Sequence, residues 1–255
     1  MRYRKFFPII VVILLFNLIA ACSPASTPTE VAATPTVTPI PATPTNTAKP
    51  TSTPRPTATP NVAATQKYDE FNKLLEDFLS KGYLATTKGK TIELDDFKEE
   101  WAKMNYYDFF PPAKQVDTDF LFKSHVKWSS ASDTADISGC GIAFGLQESN
   151  GDHYMLVLDK SRIFFGMNRG SRTYQVGKTS GSGRLDFDNP AEADMIVAVK
   201  DKSAFVSVNG DVTEYTLSQD QTTHGLFAFS LLSGTNKDYG TRCEMTDNML
   251  WIASK

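Results

Sequence analysis

Ala204-Phe205-Val206-Ser207-Val208-Asn209-Gly210-Asp211-Val212-Thr213-Glu214-Tyr215-Thr216-Leu217 is the stretch that decides the fold. Ala204, Val206 and Val208 recur with a period of two and lead into Asn209-Gly210-Asp211. A second short run, Val212 to Leu217, follows directly. Asn-Gly between alternating segments is the strongest short-range hairpin signal, because both residues tolerate the positive φ of a tight turn. An antiparallel hairpin is therefore predicted here.

The same period extends outward. Phe120, Phe122, Val126 and Trp128 alternate with Leu121, Lys123, His125 and Lys127, and Ile142, Phe144 and Leu146 alternate with Gly141, Ala143 and Gly145. Tyr154 to Leu158, Arg162 to Phe165, Met195 to Val199, Leu226 to Leu232 and Arg242 to Ile252 add further short runs. Many short strands separated by Gly, Asn, Asp and Ser turns predict an all-β sandwich or barrel. No helix-length pattern interrupts them, which disfavours a parallel α/β sheet. Only upstream does the period lengthen. Tyr68, Phe71, Leu75 and Phe78 recur at three and four within Gln66 to Lys81, with Gly82 as a stop signal. One amphipathic helix is expected there, its stripe packing on the following domain.

The N-terminus reads as an address. Arg2, Arg4 and Lys5 precede an apolar run, Phe6 to Ile19, that is short for a membrane span. Leu18-Ile19-Ala20-Ala21-Cys22-Ser23 resembles the bacterial lipobox, which implies cleavage after Ala21 and lipidation at Cys22. The alternative is an uncleaved anchor. Either way the remainder is expected outside the cytoplasmic membrane, held to it through the N-terminus. Ser23 to Ala64 is nearly all Thr, Pro, Ala, Ser and Val, with repeated Thr-Pro steps. Such a segment has too little apolar surface to offset ordering entropy, and is expected to be a semi-extended tether with a reach on the order of 100 Å. The expected organisation is a signal peptide at 1–21, a tether at 22–64, a helix at 65–82 and a β-sandwich at 83–255.

With Cys22 lipidated, Cys140 and Cys243 remain as an even pair in an oxidising compartment, and a disulfide between them is predicted. The whole chain carries 26 basic and 29 acidic residues, and removing the signal makes it more acidic. With no basic cluster, nucleic acid is not an expected partner.

The order Asp119-Phe120 to Trp128, Gly139-Cys140-Gly141-Ile142-Ala143-Phe144, Asp152-His153-Tyr154, Val206-Ser207-Val208-Asn209-Gly210, and Cys243 before Leu250-Trp251 resembles the concanavalin A-like lectin/glucanase superfamily. It is most similar to laminin-G-like and family-16-glycosidase-like modules, over roughly Thr91 to Lys255. The resemblance implies an antiparallel jelly-roll of two sheets with a glycan-related role, and a terminal strand beside early ones, which suits a Cys140–Cys243 link.

Catalysis is not supported by the same residues. Family-16 enzymes carry Glu-x-Asp-x-x-Glu. Here Glu93-Leu94-Asp95-Asp96-Phe97 is followed by Lys98, and Glu192-Ala193-Asp194-Met195-Ile196 by Val197, so both lack the last acid. No Gly-x-Ser-x-Gly elbow or His-Glu-x-x-His pattern occurs. No catalytic residue, cofactor or metal ligand is assigned. Calcium is an open possibility at Asp133, Asp136, Asn150 and Asp152, although their spacing lacks the calcium-loop pattern. The candidate ligand-binding residues are His153, Tyr154, Arg162, Arg169, Arg172 and Tyr174, which combine rings with planar guanidinium donors among Gly-rich loops. The expected function is a surface-displayed, lipid-anchored, non-catalytic module binding carbohydrate or another cell-surface partner. The alternatives are a glycoside hydrolase using Glu192 and Asp194, and a structural envelope lipoprotein with protein partners.

Overall fold

The computed structural model describes residues 62–117, 119–133, 137–160, 162–178 and 188–255. The signal segment, Cys22 and nearly all of the tether lie outside these residues. In chain order the elements are helix α1 (Val62–Ser80) and strands β1 (Gly89–Glu93), β2 (Phe97–Trp101), β3 (Lys103–Val116), β4 (Phe120–Ser130), β5 (Gly139–Leu146), β6 (His153–Leu158) and β7 (Ile163–Arg169). Next come β8 (Arg172–Gln175), β9 (Gly177–Lys178), β10 (Ala191–Lys200), β11 (Ser203–Val208), β12 (Asp211–Thr216), β13 (Gly225–Thr235) and β14 (Thr241–Ala253).

The deciding hairpin is β11–β12, with Val208 opposite Asp211. Asn209 and Gly210 have φ of 51° and 94°, the two positive values that a mirror-type two-residue turn demands. The hairpin belongs to an eight-stranded sheet of order β1-β14-β4-β10-β11-β12-β9, in which β2 also pairs with β14. A second sheet of six strands has the order β3-β13-β5-β6-β7-β8. Every pairing among these strands is antiparallel. This is the all-β jelly-roll sandwich that the resemblance implied.

The two sheets share one apolar interior. Phe120, Phe122, Val126 and Trp128 from β4 and Met195 and Val197 from β10 meet Ile142, Phe144, Tyr154, Phe165, Phe227 and Phe229 from the other sheet. These alternate residues of each strand point inward because successive Cβ atoms of a strand face opposite ways. Cys140 on β5 and Cys243 on β14 form a disulfide across this interior, joining the two sheets over 103 residues of chain with Cα atoms 5.4 Å apart. It fits an oxidising, extracytoplasmic compartment.

The helix begins four residues before the expected Gln66. Its stripe Phe71, Leu75 and Phe78 is buried with Leu84 against Leu121, Ala198, Phe205, Met249 and Trp251, on the outer face of the eight-stranded sheet. That explains why Leu121, at an outward position of β4, is fully buried. Each of the three helical side chains contributes about 1.5–3 kcal/mol of burial. The end of α1 follows from Gly82, whose φ is +77°. The Gly82 amide donates to the Leu79 carbonyl at 3.0 Å and the Tyr83 amide to the Phe78 carbonyl at 2.9 Å. This is the glycine-dependent Schellman closure, completed by a Tyr83–Phe78 ring contact.

Strand β3 carries Pro111-Pro112, which argue against a strand by sequence. The structure accommodates them because β3 is an edge strand. Its pairing with β13 also shifts register between Phe110 and Lys114, so no ladder bond is required of the prolines.

Candidate functional site: an aromatic and amide platform on the six-stranded sheet

The outer face of the eight-stranded sheet is partly closed by α1 and otherwise charged. His125 Nδ1 lies 2.9 Å from Asp194 and Nε2 lies 3.1 Å from Glu192, which also holds Lys127 at 3.2 Å. The acids of the incomplete Glu192-x-Asp194 motif therefore form a cross-strand ion ladder with β4, Asp194 opposite His125 and Glu192 opposite Lys127. A shallow groove of about 640 Å³ lies on this sheet beside Lys98, Glu99, Glu100, Lys127, Arg242 and Glu244. Its cations are paired, Arg242 with Glu100 at 2.6 Å and Lys98 with Glu244 at 4.0 Å. Lys127 at its margin is likewise paired, with Glu192 at 3.2 Å.

The outer face of the six-stranded sheet differs. Its register places Tyr107 and Phe109 of β3 opposite Leu232 and Ser230 of β13. Ala228 and Ser230 in turn lie opposite Ala143 and Gly141 of β5, and those opposite Met155 and Val157 of β6. The middle of this face is thus floored by small side chains. At Gly141 smallness is compulsory, since a Cβ would collide with the Leu156 carbonyl of β6. Across that floor the half-buried ring of Tyr107 reaches His153. The two rings stack with centroids 5.7 Å apart, and Phe109 meets the imidazole edge-on at 5.2 Å.

The hydrogen bonds fix the state of His153. Nδ1 lies 2.7 Å from the Gly151 carbonyl, which only accepts, so Nδ1 carries the proton. Nε2 is then the acceptor for the Tyr107 hydroxyl at 3.2 Å and the Asn168 amide at 3.1 Å. Asn168 Oδ1 accepts from Thr173 Oγ1 at 2.6 Å. Burial pushes the His153 pKa below its usual value, against the opposing pull of the Gly151 carbonyl and Asp152, which agrees with a neutral ring. Burial pushes the Tyr107 phenol up, so it stays a donor. Arg162 closes the other end of this face. Its Nε pairs with the buried Asp159 at 3.0 Å and its guanidinium lies over the Phe164 ring at 5.2 Å.

Five of the six sequence candidates occupy exposed or outer-face positions, in two groups. His153 and Arg162 lie on the outer face just described. Arg169, Arg172 and Tyr174 share the other side of the β7–β8 hairpin, Arg169 opposite Arg172 and Tyr174 opposite Met167. Tyr154 is set apart from both groups. It is fully buried between the sheets, stacked on Phe144 at 5.1 Å, where no ligand reaches it. Adjacent strand residues face opposite ways, so His153 and Tyr154 could not both line one surface. Tyr107 and Phe109 were not among the sequence candidates, whereas Asn168 and Thr173 fall in the stretches Asn168-Arg169 and Arg172-Tyr174 that carry three of them. The one available signal was the pair of aromatics two apart, obscured by Tyr106 and Phe110 beside them.

No group of three or more His, Cys, Asp or Glu side chains able to hold a metal occurs among the described residues. Of the acids considered for calcium, Asp133 accepts from Asn189 Nδ2 at 3.1 Å, and Asp152 accepts from Asn150 Nδ2 and from the Gly170 amide. Asp136 lies outside the described residues.

The two partnered histidines give opposite pH signs. His153 has a depressed folded pKa, so its contribution to stability is complete above about 6.5 and is lost as pH falls through the folded value. His125 is held above its usual pKa, chiefly by its hydrogen bond to Asp194 with burial opposing. Its contribution is complete below about 6.5 and is lost as pH rises through the folded value. Thermal melts between about pH 8 and about pH 5 are expected to show an acid-side loss that His153→Gln flattens and His125→Gln steepens. Identical slopes in both variants would refute the assignment.

No family model matches this chain, and no curated protein does. Solved structures do align with it. The carbohydrate binding module CBM66 from Bacillus subtilis is 7% identical, with 65% of this chain and 97% of that one covered at a TM-score of 0.45. A fructosyltransferase from A. japonicus is 11% identical over 69% of this chain and 28% of its own, at a TM-score of 0.43. The carbohydrate recognition domain of Emp47p is 14% identical over 68% and 93%, at 0.41. Overlaps this loose decide nothing about what the present chain binds.

Proposed function

We propose that the chain is a lipid-anchored, surface-displayed, non-catalytic module that binds carbohydrate on the outer face of its six-stranded sheet. One observation carries the reading. The half-buried rings of Tyr107 and Phe109 pack on the buried imidazole of His153, which anchors Tyr107 and Asn168 beside the exposed Thr173, so aromatic, amide and hydroxyl groups gather at one place on this face. Ring faces offer apolar contact to the C–H faces of a sugar while their edges stay polar. Asn168, Thr173 and Gln175 lie at adjacent edge positions with hydroxyl and amide groups for sugar hydroxyls, and Arg162 adds a planar donor fork. The neutral His153 holds Tyr107 and Asn168 in place, so little ordering is needed on binding. The lipobox at Cys22 and the Thr/Pro tether supply the anchor and the reach.

The test is affinity electrophoresis of the non-lipidated chain from Ser23 onward, exported so that its disulfide forms, in gels containing neutral and charged polysaccharides. At least one polymer is expected to retard it, and Tyr107→Ala to weaken that binding by several-fold to about tenfold, the worth of one ring contact. Absence of retardation on every polymer, or an unchanged Tyr107→Ala, would overturn the reading. Specific capture of an envelope protein without any carbohydrate effect would replace it with the protein-partner alternative.

A further inference from the structure

We propose that Arg169 and Arg172, with Tyr174, form a subsite for an anionic group on the bound polymer, a carboxylate or sulfate ester; this rests on the carbohydrate reading above. The two arginines face each other across the β7–β8 hairpin, at the last pair before the Gly170-Ser171 turn. Both are exposed. Residues directly opposite in an antiparallel pair have Cβ atoms about 4.5–5.5 Å apart, and like charges there repel.

Elsewhere in the described structure arginine is neutralised, Arg162 by Asp159 and Arg242 by Glu100. Among the described residues neither Arg169 nor Arg172 has such a partner. Asp152, the acid that touches this hairpin, accepts from the Gly170 amide at 2.7 Å and from Asn150 at 3.0 Å. A repulsive pair with two unspent planar forks is a receptor for a planar or tetrahedral anion, which both can grip at once. The ring of Tyr174, 44% exposed, stands on the same side of the hairpin as Arg172 and supplies an apolar wall. Arg169 and Arg172 lie on the side of the hairpin opposite Asn168 and Thr173, so a polymer held on the platform meets the arginines by wrapping over the edge strand β8.

The experiment uses the same exported chain with four probes: polygalacturonate, its carboxyl-reduced neutral derivative, dextran sulfate and dextran. Stronger retardation by a charged polymer than by its neutral counterpart is expected, falling as salt is raised. The R169Q/R172Q variant should lose about tenfold or more of that affinity. Its melting temperature should equal or exceed that of the parent, since a like-charge pair is removed. Whichever charged polymer responds to the variant names the anion. Equal retardation by charged and neutral polymers, or an R169Q/R172Q variant that behaves as the parent, overturns the subsite alone. Retardation by none of the four, while another polymer still retards the chain, overturns the subsite alone; retardation by no polymer at all overturns the carbohydrate reading beneath it.

Discussion

Tyr154→Ala is expected to destabilise the protein by about 3–5 kcal/mol, the cost of removing a large ring from a packed core. The ring is fully buried, stacks on Phe144 and meets Phe165 edge-on at 6.3 Å. Its hydroxyl donates to the Ser218 and Gln221 carbonyls at 3.3 and 3.4 Å, long contacts that add little. Burial holds its pKa up to about 12, so the phenol is neutral near neutral pH. Tyr154→Phe, which keeps the ring and loses only those contacts, should cost about 1 kcal/mol. Urea unfolding measures both. If Tyr154→Ala left stability unchanged and weakened ligand binding instead, the ring would have to be surface-exposed and the inward assignment of β6 would be wrong.

Removing the Cys140–Cys243 crosslink is the second large effect. The bond spans 103 residues and ties β5 of one sheet to β14 of the other. Crosslinking so long a loop restricts the unfolded chain, and its loss typically costs about 2–5 kcal/mol. The C140A/C243A variant, expressed where disulfides form, should show that loss in urea while keeping the strand content of its circular dichroism. Because both cysteines are buried, 0% and 1% exposed, reductant should act on the native protein only slowly. A variant as stable as the parent would remove the crosslink from any account of how the sheets are held together.

Much of this architecture was legible in the residues. Strands β4, β5, β6, β7, β10, β11, β12, β13 and β14 declare themselves by alternation or by short apolar runs between turn residues, and α1 by its three-and-four spacing. The strands that escaped notice lacked that signal for physical reasons. Strands β1 and β2 lie along the single strand β14, and their exposed positions include charged residues: Lys90 and Glu93, then Lys98 and Glu100. Strand β3 hides behind Pro111-Pro112 and an unbroken aromatic run, Tyr106-Tyr107-Asp108-Phe109-Phe110, in which no period of two survives. Strand β8 is four exposed residues.

The candidate site was only half legible. Sequence proximity brought out the loops around β6, β7 and β8, but could not supply Tyr107 and Phe109. Those rings arrive from β3, some 46 residues from His153, only after β13 and β5 have inserted between β3 and β6. The incomplete Glu192-x-Asp194 motif shows the converse. Its spacing does put both acids on one face, yet that face belongs to the other sheet, where His125 and Lys127 engage them.

The central claim is that ligand meets the outer face of the six-stranded sheet. The most direct measurement is the amide and histidine-ring chemical-shift map of the exported chain on titration with the polysaccharide that retards it best. The account predicts shifts concentrated at Tyr107, Phe109, His153, Asn168 and Thr173. Shifts confined to the helix-bearing sheet, around Lys98, Glu100, Lys127 and Arg242, would contradict it.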